Sequence, residues 1–162
     1  MLFEFFHYLQ STEFATGLRQ SDYAFPLIEG SHIMALSLSV GLILLFDLRL
    51  LRLAFPGEPV SRVMHQVMKI ALPGFTVMFI TGLALFFAQP EKAARNRYFQ
   101  AKMLTLVLLG INALVYQLKF YPKMAEWDSA SSVPAGARVI AGISLVFWVL
   151  VIAFGRIMAY EL

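Results

Sequence analysis

Cysteine is missing altogether from these 162 residues. Its absence excludes disulfides, thiolate metal sites, iron–sulfur clusters, covalently attached c-type haem and thiol redox catalysis. Charge is scarce as well. Asp, Glu, Lys and Arg make up 14% of the chain, against about 25% in an ordinary soluble domain. Histidine occurs only as His7, His32 and His65. No Gly-rich phosphate loop, no His-x-x-x-His pair and no Ser–His–Asp set at one depth is present, so nucleotide-binding, zincin-type and triad chemistry have no motif to rest on. No basic run interleaved with aromatics supports a nucleic-acid partner either.

What fills the chain instead is apolar. Hydrophobic residues make up 59%, the mean hydropathy is +0.71, and the charges fall between long apolar runs. Crossing a hydrocarbon core about 30 Å thick takes roughly 20 apolar residues, and the chain has four such runs. The predicted fold is all-α: a four-helix transmembrane bundle forming a single integral membrane domain over residues 1–162, with spans over about 24–51, 62–88, 101–120 and 135–158. Lipid is therefore the first partner. The net charge of +3 and pI near 9.3 read as topology signals and headgroup anchors.

The opening "MLFEFFHYLQ" lacks a basic n-region and a small-residue cleavage site, and it carries Glu4 and His7. It is expected to be retained. Leu2, Phe5, Phe6 and Leu9 recur at helical spacing, so residues 1–20 are expected to form an amphipathic helix, lying on the membrane or packed across the bundle mouth. "QSDYAFPLIEG" offers Ser21 or Asp22 as a cap, with Pro26 in the first turn. "AFPGEPVS" is a turn, Pro73-Gly74 should kink the second span, "QPEKAARNRYFQ" is a basic loop, and "YPKMAEWDSASSVPAG" is the longest polar segment.

Four spans put both termini on one side, side A, together with the 89–100 loop. Side A carries Arg19, Lys92, Arg95, Arg97, Lys102 and Arg156. Side B carries Arg49, Arg52, Arg62, Lys69, Lys119, Lys123 and Arg138. The positive-inside rule counts Lys and Arg and is close to a tie here; the acidic N-terminal region tilts side A towards the periplasm.

Two polar layers follow from a rise of about 1.5 Å per residue. His32 lies roughly 12 Å into span one, with Glu29 one turn nearer the surface. Thr81, Lys102, Met103, Arg156, Met158 and Tyr160 reach similar depths from the other spans. Near side B, Asp47 and Arg49 meet the depth of His65, Met68, Lys69, Tyr116, Gln117 and Arg138. Ionisable groups inside a span normally face the bundle interior and find partners there. His65 and Lys69 are spaced i, i+4, and Asp47 is expected to neutralise Lys69 or Arg49. The plain reading of the side-B layer is a salt-bridged helix end that fixes packing; a proton, ion or quinone site is the other.

The side-A layer carries the candidate cofactor contacts: His32, Glu29, Arg156, Tyr160, and His7 folding back. A quinone head group needs one histidine donor and a tyrosine or arginine partner. A b-type haem needs two axial ligands at one depth, and His32 with His7, Met158 or Met103 is the candidate set. His32 and His65 differ in depth by about 25 Å and cannot sandwich one haem. Glu29-x-x-His32 matches the spacing of di-iron bundles, but the other carboxylates those sites need are missing at that depth. Eight methionines raise copper, with His32, Met34, His65 and Met68 as the residues to inspect. The plain alternative is a histidine satisfied by neighbouring helices.

"FPLIEGSHIMAL", "DLRLLRL", "ITGLALFF" and "YFQAKMLTLVLLGINALVY" together resemble an uncharacterised family of small four-span bacterial inner-membrane proteins, over most of residues 10–120. That resemblance implies a multi-pass inner-membrane location and points to no particular activity. The lysine opening span three and the Asn of "GIN" are also similar to the membrane domain of copper-resistance D proteins, which would imply a periplasmic-side metal or redox role at His32 and Met34. The chain departs from that pattern in lacking a richer set of histidines and methionines on one side. The expected function is a non-catalytic accessory or anchor subunit of a membrane redox or energy-converting complex, with other membrane subunits as partners. A metal-handling protein and a purely structural subunit are the alternatives.

Overall fold

The computed structural model describes residues 2–128 and 133–161, with the side chains of Leu2, Phe3 and Glu161 left aside. Two expectations therefore fall partly outside the described residues: Leu2 of the amphipathic stripe and residues 129–132 of the polar segment. The described residues form helices and turns, with no strand. In chain order the helices are α1 (Leu2–Ser11), α2 (Glu13–Gln20), α3 (Ala24–Leu50), α4 (Val60–Ala88), α5 (Pro90–Arg95), α6 (Arg97–Lys119), α7 (Met124–Trp127, entered through a short 3-10 turn at Tyr121–Lys123) and α8 (Ala135–Glu161). Four of them, α3, α4, α6 (continuing to Trp127) and α8, are long and apolar enough to cross a membrane. The protein is an all-α, multi-pass membrane bundle.

Local sequence sets the ends. Ser21 Oγ accepts from the Ala24 N–H at 3.0 Å at the start of α3. At its end Leu53 N–H bonds Leu48 O at 2.9 Å while Arg52 takes φ 64°, a left-handed position that glycine usually fills. Asn96 Oδ1 accepts from Tyr98 and Phe99 N–H at 2.9 and 3.1 Å and so starts α6. Asp128, from beyond α7, caps α4: its carboxylate accepts the Ser61 N–H at 2.7 Å and the Ser61 hydroxyl. Each such cap is worth about 1 kcal/mol. α4 continues as α-helix through Pro73.

The N-terminal segment differs from expectation. It forms two helices, not one, because Thr12 turns the chain. The Thr12 hydroxyl donates to Leu9 O at 2.8 Å and receives the Ala15 N–H at 3.3 Å, capping α2. Ala15 and Leu18 of α2 are buried, α2 packs on α3 and α4, and α1 packs on α5. The segment thus packs on α3, α4 and α5. The expected 89–100 loop also contains a helix, α5, whose Pro90 sits at a first turn where its missing donor costs nothing.

The spans pack as two pairs. α3 lies along α4, α6 lies along α8, and α3 meets α8. The consecutive spans α4 and α6 have no close backbone approach; they meet through side chains such as Phe86 and Phe99, whose rings stack at 5.6 Å. α3 is the central helix: 39% of its most apolar stretch is buried by protein, against 6% for α4. The α3–α4 seam is tight. A Cβ on Gly74 would lie 2.1 Å from Ser39 Oγ, so only glycine permits this approach. Mid-bundle, Val40, Leu109, Trp148 and Val151 form one cluster, with Phe75 stacked on Trp148 at 5.8 Å. Towards side B a larger cluster runs from Phe46 and Leu50 to Met124, Trp127 and Ala141.

Candidate functional site

His32 is half-buried and turned towards α4. Its Nδ1 lies 3.0 Å from Met78 O and 3.0 Å from Thr81 Oγ1. The Thr81 hydroxyl already donates to Val77 O at 2.7 Å, and a carbonyl oxygen cannot donate. Nδ1 must therefore carry the hydrogen and give it to these two oxygens. In the neutral ring that leaves Nε2 as an acceptor, and no described residue bonds it. A backbone carbonyl fixing one ring nitrogen is how proteins orient an imidazole whose other nitrogen holds a ligand. The ring lies against Gly82, where a Cβ would come within 3.1 Å of His32 Cε1.

The second component comes from the other helix pair. Lys102, half-buried in the second turn of α6, rests against α8: its Nζ would lie 3.7 Å from a Cβ at Gly155. It is close enough to His32 to act on the imidazole electrostatically. Among the described residues no carboxylate pairs with it. An aromatic cap lies nearby, with Phe6 edge-on to Phe86 at 5.9 Å and Phe86 stacked on Phe99. His32 and Lys102 thus bring an imidazole acceptor and a cation to the seam between the helix pairs.

Several residues expected in this layer are elsewhere. Glu29 is exposed and makes no bond to His32; one turn nearer the surface, its carboxylate keeps its hydration at no cost. Arg156 and Tyr160 are exposed and bond each other at 3.0 Å, the guanidinium lying over the ring at 5.0 Å. Spaced i, i+4 on the last turns of α8, they satisfy one another outside the bundle. His7 is on the surface, its Nδ1 3.5 Å from Glu91 Oε2, and ties α1 to α5 instead of folding back to His32. Met34 is 75% exposed on the outside of α3 and Met103 45% exposed on α6, so neither joins His32.

The side-B layer also departs from expectation. Arg49 is buried, but its Nε donates to Glu58 O at 2.8 Å, with Nη2 donating to the same oxygen. Two residues apart on a helix, Asp47 and Arg49 point roughly 200° apart, so the arginine closes the α3–α4 turn. His65 and Lys69 are exposed. The buried stripe of α4 is Val60, Met64, Val67 and Ala71, and at 100° per residue both polar side chains fall outside it. Met68 is half-buried against the side-B core and does not converge with His65. Asp47 has no cation within ion-pair distance among the described residues. Ser144 of α8 lies close enough to act on its carboxyl group. No group of three or more His, Asp or Glu close enough to hold a metal occurs among the described residues.

A family profile, that of a family of unknown function (DUF6644), matches residues 20–161. The chain belongs to DUF6644. The match covers all four spans and leaves only the N-terminal helices and the last residue outside. No curated protein and no solved structure matches it.

For this DUF6644 chain, the sequence placed Thr81 and Lys102 at the depth of His32 but gave no sign of Met78. Met78 contributes a backbone oxygen, which no side-chain pattern signals. Gly82 had a faint signal, as a glycine after threonine in "ITGLALFF". Ser144 had a clearer one: it is the single hydroxyl between residues 139 and 155. Asn112, singled out in "GIN", donates to Ile140 O at 3.1 Å and joins α6 to α8, a packing role.

Proposed function

We propose that the protein is a non-catalytic accessory or anchor subunit of a membrane redox or energy-converting complex, and that the seam at His32 and Lys102 is where it contacts a quinone head group. One observation carries the reading: Nδ1 of His32 is committed to Met78 O and Thr81 Oγ1, leaving Nε2 for a second species beside a lysine that no carboxylate pairs with among the described residues. A quinol hydroxyl can donate to Nε2, and Lys102 can donate to a quinone carbonyl. Both are bonds to a polar head from inside an apolar bundle, where such groups mark functional sites. The quinone reading asks less of the chain than the haem reading. A b-type haem needs a second axial ligand; His7 and Met103 are exposed, and half-buried Met158 of α8 is the candidate left on this chain. The copper reading loses Met34, which is exposed as well. The bacterial inner membrane, with both termini towards the periplasm, is the location proposed with this function.

The test is purification from native membranes, with extraction and identification of the lipophilic species and protein subunits that come with it. The reading expects a bound quinone at close to one per chain, lost in both His32→Ala and Lys102→Met. If the wild-type protein carries no quinone and does not bind added ubiquinone or menaquinone, the contact is wrong. If it purifies alone under conditions that preserve other membrane complexes, the subunit role is wrong as well.

A further inference from the structure

Asp47 is the most completely enclosed acid in the described structure. It is 5% exposed, three residues from the end of α3, at the junction where α3, α6 and α8 meet. Ser144 of α8, itself 7% exposed, lies close enough to act on its carboxyl group. The second oxygen, Oδ2, is shut off from solvent and has no hydrogen-bond partner. Tyr116, close enough to act on Asp47 electrostatically, packs with Leu50, Met124 and Trp127 in the side-B core.

The charged and titratable groups around it do not neutralise it. On α3, Arg49 is committed to Glu58 O. On α4, His65 and Lys69 face outward. On α6, Tyr116 is close enough to act on Asp47 electrostatically but gives its hydroxyl to Met124 Sδ at 3.8 Å, and Lys119 is exposed. On α8, Arg138 is exposed, and Asp128, beyond α7, is bonded to Ser61.

A dry carboxylate with one hydrogen bond and no counter-ion is strongly unfavourable inside a bilayer. A metal ion would relieve it, but hard cations need about six oxygen ligands, and one carboxyl and one serine fall well short. A proton relieves it with what is present. The acid is then neutral, its O–H has the Ser144 hydroxyl as acceptor, and a carbonyl oxygen without a partner costs far less than an ionised one.

We infer that Asp47 is an intramembrane proton-binding site, held by Ser144 and covered on side B by Tyr116 and the α7 turn. Its ligand is a proton taken from water on that side. Release leaves the carboxylate and a hydronium ion, and it requires the α7 cover to admit water. This inference is independent of the side-A reading, which lies fifteen residues, or about 22 Å, away along α3.

Infrared spectroscopy of the protein reconstituted in lipid tests it. At neutral pH the wild type should show a protonated-carboxyl C=O band that shifts down in heavy water and is lost in Asp47→Asn. Ser144→Ala keeps the acid but removes its partner, so the band should persist and move to higher frequency; this arm stands even where the asparagine variant does not fold. Absence of the band from folded wild type overturns the inference. So does its disappearance when choline is exchanged for sodium at constant pH, since the ligand would then be a metal cation.

Discussion

His32 and Asp47 lie near opposite ends of α3, and the structure treats them oppositely. His32 lies between two helices, half-buried, with one nitrogen held by two oxygens of α4 and the other left over. Asp47 lies where three helices meet, almost fully enclosed, with one oxygen held by α8 and the other left over. The difference is the number of neighbours. A two-helix contact leaves an opening through which a second species reaches the free atom. At the three-helix junction Asp47 is 5% exposed and offers no such opening. The same helix therefore offers a ligand contact at one end and an enclosed acid at the other.

The largest expected effect tests the sealed end. Asp47→Lys puts a longer, cationic side chain at a position 5% exposed, and an uncompensated buried charge costs roughly 3 kcal/mol or more. Asp47→Asn keeps the shape and the bond to Ser144 and should stay within about 1 kcal/mol of wild type. Unfolding midpoints in detergent compare the two. Equal stability of the lysine and asparagine variants would mean that water reaches this end as freely as the other, and the contrast would be gone.

A smaller effect tests the open end. Gly82→Val places a branched side chain where even a Cβ sits 3.1 Å from His32 Cε1. The ring must turn, at a cost of about 1 to 2 kcal/mol. Nitrogen NMR of labelled histidine should show that the variant has lost the fixed Nδ1–H form. An unchanged ring signal would show that Met78 and Thr81 do not hold the imidazole as described.

The smallest effect separates the observed cluster from the one expected by depth. Arg156→Gln breaks only an exposed pair with Tyr160 and should change stability by less than about 0.5 kcal/mol, with quinone binding intact. A large loss of binding in this variant would return Arg156 to the His32 site and redraw the comparison.

Those three residues also mark how far the sequence reaches. The four spans were legible to within a few residues because transfer of apolar groups into a bilayer depends on composition and length alone. Span one was expected over 24–51 and runs Ala24–Leu50; span four was expected over 135–158 and runs Ala135–Glu161. The depth of His32 was legible because helical rise is fixed. Direction was not. α3 is apolar on every side, so no stripe tells which face meets α4, which meets α8 and which meets lipid. Depth grouped His32 with Thr81 and Lys102 but equally with Glu29, Arg156 and Tyr160, and Asp47 with Lys69; rotation about the helix axes keeps Thr81 and Lys102, adds Met78, and puts Ser144 beside Asp47. The break at Thr12 was hidden for a related reason: a threonine that caps and one that merely sits in a helix look alike until its hydroxyl has a partner.

By itself, then, the sequence determined that this chain crosses a membrane four times and how deep each polar residue lies, since hydropathy and helical rise are properties of the chain alone. Only the tertiary structure decided which polar residues touch. In a bundle whose helices are greasy all round, helix rotation is set by packing contacts such as Gly74 against Ser39, and a pair of glycine and serine carries no such instruction until the two helices are brought together.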